Sequence, residues 1–447
     1  MNGRFPSRRL TRRDLIKVGG GLLAGAAGSA LASKSLLQPV GVARAESAAM
    51  PIDSVQGAVA AQAGAFDLHL AATDGWIAIN APPIPPFHPD NVAPAGLTTY
   101  IFGFRDVTGY TDAQVTGQKM KAQLAAPIWS LDQEIDFKLK ISNLGLQIRP
   151  DLIDSHTVHF HGFRNAIPIF DGEPHSSVGT PITRNLVYLY RPHYPGTYMY
   201  HCHFEETEHV HMGMIGAVFI KPLLNQQNPG HMYAYNDTRT EYDREFVMVA
   251  HEIWSEAHWC DSHIQLPEWT DYKADLFLLN GRAYPDTLLP PGGGHNPVTG
   301  DLIGPPGRPD LRYQPVSSLV RANSGDRVLL RFVNLGYTEL SMRLSGIRLR
   351  IVGRDAMPLV GPGARDVSFV TSTAPIGGGE TADAIFVAPP FVASQALNDS
   401  VGAYNRYLLY NRALGHMSGG AGAAYAGQMT EVRIYAAGVP AQTGPNT

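Results

Sequence analysis

The chain has 447 residues, enough for two or three domains with cores of their own. A formal net charge of −4 gives no support to a nucleic-acid role, and beyond the N-terminus no run is apolar enough to span a membrane. Charged residues are only 17%, against 46 glycines and 34 prolines, which points to an all-β protein with many turns, and two cysteines leave little scope for disulfides.

Residues 1–45 read as a targeting segment. Thr11-Arg12-Arg13-Asp14-Leu15-Ile16-Lys17 puts paired arginines before an apolar stretch, Val18 to Ala32, rich in Gly and Ala. That stretch is short and weakly hydrophobic for an anchor. Ala43-Arg44-Ala45 is a small-residue cleavage site, with Ala30-Leu31-Ala32 as the alternative. The arrangement resembles a bacterial twin-arginine signal, which implies export to the periplasm or beyond the cell. Residues 46–64 read as a flexible linker.

The body divides into 65–225 and 226–440, with 441–447 as a tail. The division falls where Leu223 to Gly230 gives way to a polar stretch ending at Arg244. Glu134 to Ile141 alternates polar and apolar residues, as a half-buried strand should. Asp326 to Asn334 is its counterpart in the second half. Each precedes an Asn and a loop, Asn143-Leu144-Gly145 and Asn334-Leu335-Gly336. This weak internal repeat predicts two tandem β-sandwiches. Leu289 to Pro309 and Gly415 to Gly427 are expected to be long loops.

Nine of the 17 histidines lie between His156 and His211. Buried imidazoles need partners, so such grouping points to metal. Side chains alternate along a strand. If residues 199–204 are extended, His201 and His203 face one way and Cys202 the other. His159 and His161 share a face, and His156 has the opposite parity. Two adjacent strands could then serve two sites. Cys202, His156, Met214 and either His209 or His211 supply the thiolate, imidazoles and thioether of a blue-copper site. His159, His161, His201 and His203 would face a second metal. Cys202 is linked through the backbone to His201 and His203, a short electron path between the sites. Cys260, in His258-Trp259-Cys260-Asp261-Ser262-His263, reads as a partly buried free thiol.

The segments His156-Thr157-Val158-His159-Phe160-His161-Gly162 and His201-Cys202-His203 through His209, Gly213 and Met214 resemble the copper motifs of multicopper oxidases, of the cupredoxin superfamily. The departure is a gap from His203 to His209 two residues longer than the family pattern, a lengthening also met in copper nitrite reductases. Tyr194 to Tyr200 and Leu279 to Asp286 add to the likeness, which spans roughly residues 65–437. The resemblance implies two tandem cupredoxin-like Greek-key β-sandwich domains. It implies a type 1 copper on His156, Cys202, His209 and Met214, and type 2/3-like copper on His159, His161, His201 and His203. It further implies a small-molecule or metal-ion electron donor, and dioxygen as acceptor.

In the family a three-copper cluster draws half its histidines from each of two domains. Here the second-half counterparts, Glu339 to Ser345 and Tyr407 to Leu414, carry none. Arg412 stands where nitrite reductases place a catalytic His, and His416 is the nearest imidazole. Three functions are therefore expected to compete. They are a two-domain multicopper oxidase, a nitrite-reductase-like enzyme, and a non-enzymatic copper-binding or electron-transfer protein. Four imidazoles on an open face would want a partner surface, so a homotrimer is expected, with Arg412 or His416 of a neighbour near them.

Overall fold

Four large sheets in two face-to-face pairs, with two small two-stranded sheets, make up the computed structural model, which describes residues 66–79, 92–164, 166–418 and 427–447. The export segment and linker read at 1–45 and 46–64 lie outside the described residues, as does most of the Gly415–Gly427 loop.

In the first half the strands are β1 (Leu68–Ile77), β2 (Thr99–Asp106), β3 (Trp129–Asp132), β4 (Phe137–Asn143), β5 (His159–His161), β6 (Asn185–Tyr190), β7 (Gly196–His201) and β8 (Ile215–Lys221). One sheet runs β2-β1-β4-β6 and the other β3-β8-β7-β5, with β1/β4 and β3/β8 parallel and the other pairs antiparallel. In β4, Leu139 and Ile141 enter the core while Lys138 and Lys140 stay half-exposed, the alternation expected of this segment. The second half repeats the plan with a seven-stranded and a six-stranded sheet between Arg244 and Tyr435. Strand Arg244–Ile253 pairs in parallel with Arg327–Asn334, as β1 does with β4. The two asparagines repeat in function as well. Asn143 donates to Asp154 O and Thr180 O and accepts from Gly145 N, and Asn334 donates to Thr338 O and Ile376 O and accepts from Gly336 N.

β8 is buried on both faces, which explains its nearly unbroken apolar run, Ile-Gly-Ala-Val-Phe-Ile. Val218 and Ile220 face the first sandwich core. Ile215, Ala217 and Phe219 join Val247, Val249, Leu278 and Val333 in an apolar layer shared by both halves. Each such side chain, fully buried, contributes roughly 2 kcal/mol relative to exposure. Both halves belong to one compact unit, Ala61–Thr447. Residues 441–447, read from the sequence as a tail, fold back along residues 245–247, a stretch of strand Arg244–Ile253 that its neighbour Leu276–Leu279 leaves unpaired. Asn446 Oδ1 accepts from Val247 N at 2.9 Å and Gln442 Oε1 from Glu245 N at 2.7 Å, satisfying edge donors. Among the described residues no helix is long and apolar enough to cross a membrane.

Candidate metal centres

Among the described residues, two groups of three or more metal-ligand side chains come together, and both lie at the end of β7. In the first, Cys202 Sγ lies 3.7 Å from His156 Nδ1 and 3.3 Å from His209 Nδ1, and the two rings are 5.0 Å apart. All three residues are buried. β7 stops at His201 rather than running on to 204. Cys202 N instead donates to Met214 O at 3.1 Å, and His203 N to Thr157 Oγ1 at 3.1 Å. Met214 N donates to His209 O at 2.9 Å, which draws Met214, wholly buried, in beside the Cys and His. On the far side a pair of bonds between His156 and Thr180 fixes the His156 backbone.

The segment between His203 and Met214 contains a short helix, Glu206–Met212, closed by Gly213. Gly213 has φ +117°, and a Cβ there would sit 2.8 Å from Phe102 O, so the turn to Met214 needs glycine. The helix also separates the two candidate imidazoles. His209 turns inward to Cys202. His211 points elsewhere, accepting from Trp254 N at 3.1 Å and ringed by Trp269, Tyr272 and Tyr337. Met212 is core.

Burial opposes charge on Cys202, but His209 and His156 outweigh it and hold the thiol well below its ordinary range. Burial likewise opposes protonation of His209, yet Cys202 and Asp154 push it up to about 10. Asp154 Oδ2 stands 3.6 Å from His209 Nε2. A sulfur between two Nδ1 atoms, with a carboxylate near the far nitrogen of one imidazole but beyond hydrogen-bond distance, is a donor set that fits copper.

The second group uses the β5/β7 ladder, which places His159 opposite His201 and His161 opposite Met199. Ring centroids are 5.2 Å apart for His159–His201, 4.8 Å for His159–His203 and 5.7 Å for His161–His201. His159 Nδ1 bonds Asp171 O at 2.7 Å and His201 Nδ1 bonds Cys202 O at 2.9 Å, which leaves each Nε2 free. His203 Nδ1 lies 3.0 Å from Glu206 Oε2. Burial lowers His159 and His161, and takes His201 down to about 3, so these rings are neutral at pH 7, the form that binds metal. His159, His161 and His201, neutral and with ligand atoms close enough to share one ion, fit copper as well, and the His203 ring lies beside that of His159.

A cavity of about 470 Å³ opens onto His161, His201 and His203. Its far wall comes from the second half of the same chain, in loops that carry Leu335, Tyr337 and Gly379. Glu252 holds the first loop, accepting from Tyr337 N at 3.0 Å and Tyr272 OH at 2.6 Å as well as from Thr338 Oγ1. Gly379 has φ +78°, and a Cβ on it would stand 3.5 Å from His161 Nε2. Where a cluster shared between domains would need imidazoles, this chain presents glycine and apolar side chains.

Arg412 and His416 line a separate cavity of about 500 Å³ with Thr338 and Glu339. His416 stacks on Phe277 at 3.9 Å and bonds Asn411, away from the four histidines of its own chain. Cys260 is buried, which pushes its thiol up to about 11. His175 and His193 pair with Glu173 and Glu134. Asp154, the Asp171 carbonyl, Glu206 and the two second-half loops had no signal in the sequence. Asp154 could have been suspected only from its place two residues before His156.

Residues 137–224 match the family model described as multicopper oxidase. No curated protein matches the sequence. Among solved structures, the blue copper oxidase from Nitrosomonas europaea is 18% identical, over 82% of this chain and 85% of that one, with a TM-score of 0.55. The multicopper oxidase mgLAC is 18% identical over 84% and 87%, with a TM-score of 0.52. Copper nitrite reductase from Nitrosomonas europaea is 16% identical over 85% and 97%, with a TM-score of 0.50. Residues 137–224 thus resemble a multicopper oxidase domain, and the chain shares the cupredoxin-type β-sandwich fold of these multicopper oxidase and copper nitrite reductase structures.

Proposed function

We propose that the protein is a copper-dependent oxidoreductase of the multicopper oxidase type. A reducing substrate gives up electrons at the Cys202 site, and dioxygen is reduced to water at the four-histidine site. Copper, when bound, supplies one-electron redox chemistry at both sites and the affinity for dioxygen at the second. One observation carries the reading: Cys202, whose sulfur meets His156 and His209, is flanked in the chain by His201 and His203, whose rings meet His159. Electrons leaving the sulfur need cross only the Cys202 backbone to reach either imidazole. The residues around this path hold it in place. Asp154 stands near His209, while the Asp171 and Cys202 carbonyls fix the tautomers of His159 and His201. The buried shell about Cys202 keeps water from the sulfur and, with Met214, tunes its potential.

A nitrite-reductase-like enzyme is the second reading, favoured by the absence of second-half histidines from the cavity wall. Simple electron carriage would need the Cys202 site alone and leaves four convergent imidazoles unexplained. A homotrimer belongs to the proposed reading, and light scattering on the mature protein tests it. The paired arginines support export by the twin-arginine route to the periplasm or beyond.

Metal analysis with dioxygen uptake tests the proposal. Blue protein with more than one copper per chain, consuming dioxygen when given a reductant, is expected. A single copper per chain with no uptake would overturn it in favour of electron carriage, and nitrite turnover without dioxygen uptake would favour the second reading.

A further inference from the structure

The Cys202 site has no exposed edge: His156, Cys202, His209 and Met214 are all at most 1% accessible. Solvent instead reaches a candidate ligand at His161, in the cavity of about 470 Å³. Dioxygen alone does not call for that much room, which is within the range of organic-ligand sites. The wall is apolar on one side, with Met199, Val210, Leu335 and the Tyr337 ring. On the other, Glu206 points a half-exposed carboxylate at His203. An adjoining cavity of about 230 Å³ shares His161, Met199 and Gly379 and adds Asp355 and Glu380. Neither cavity is lined by Lys or Arg among the described residues. Three carboxylates without a basic side chain favour a cation over an anion, and the apolar wall asks for a ring.

We infer that this cavity binds an aromatic monoamine as its cation, the ring against Val210 and Leu335 and the ammonium at Glu206. The inference rests on the proposed function only for what the ligand lies against, a second copper centre.

Titration calorimetry of the full chain, copper-loaded and copper-stripped, with phenethylamine and with phenylacetate at pH 7.5 tests it. Phenethylamine is expected to bind both forms, and phenylacetate to bind the stripped form at least about tenfold more weakly. Glu206→Gln should weaken phenethylamine by about tenfold, as expected for one charge-assisted hydrogen bond, and spare the blue absorption. Val210→Phe, which fills the apolar side, should abolish binding. Equal binding of amine and acid by the stripped form, no effect of Glu206→Gln, or no binding of phenethylamine would overturn the inference. If the amine fails while copper loads and turns over, the inference alone falls. If copper does not load, the proposed function falls, and amine binding to the stripped cavity still decides the inference.

Discussion

Arg331→Met should loosen the junction that holds β7, the strand leading to His201. Arg331 is wholly buried in the second half. Its Nε lies 3.0 Å from Glu245 Oε2, and its Nη1 donates to Thr197 Oγ1 at 2.9 Å and stands 3.6 Å from Asp383 Oδ1. The guanidinium is 4.3 Å from the centre of the Phe219 ring. Thr197 lies on β7 and Phe219 on β8, so one side chain ties both halves together. Met keeps the apolar stem and leaves two buried carboxylates without their cation. Losing one partner of a buried pair costs about 3–5 kcal/mol, and the lost ring contact on the order of 1 kcal/mol. Tyr242 and Tyr235 still donate to the carboxylates and offset part of this. A net loss of about 3 kcal/mol is a large share of a typical stability of roughly 5–15 kcal/mol. Urea unfolding of the copper-stripped protein, followed by fluorescence, measures it. Adding Asp383→Asn should recover part of the loss, because it removes one stranded charge. A loss below about 1 kcal/mol, the range of exposed pairs, would refute the reasoning.

Replacing Cys202 by Ser should abolish the thiolate-to-copper absorption, and surviving colour would sink the assignment. Met214→Leu should keep the colour and shift the redox potential, since an axial thioether is a weak ligand. His161→Ala should lower second-site copper and spare the blue band, whereas equal loss at both sites would contradict two separate centres. Burial lowers His258 to about 4, so the folded state stays neutral where the unfolded chain takes up a proton below pH 6.5. Stability should therefore fall as pH drops from 6.5 toward 4, by on the order of 3 kcal/mol from this residue. His258→Gln should flatten the slope of urea midpoint against pH across that window, and an unchanged slope would count against the assignment.

Both candidate ligand sets were legible in the sequence because their geometry is local. Strand alternation and a few residues of loop decide which side chains share a face, so His159 and His161, or Cys202 between two histidines, announce themselves by spacing. The alternation in β4, and the Asn-Leu-Gly that follows both it and its second-half counterpart, likewise exposed the repeated sandwich. Other choices were not local. His209 and His211 are equivalent in composition, and only helix Glu206–Met212 turns one to Cys202 and the other into an aromatic nest. Asp154 comes within 3.6 Å of His209 through a loop in which its own carbonyl accepts from Asn143, far upstream of His209 in the chain. The cavity belongs wholly to tertiary structure. Its wall joins residues as far apart as Thr207 and Tyr337, brought together by apolar layers between sheets. Burial of that kind is non-directional, so no short-range pattern in the chain records which loops will meet.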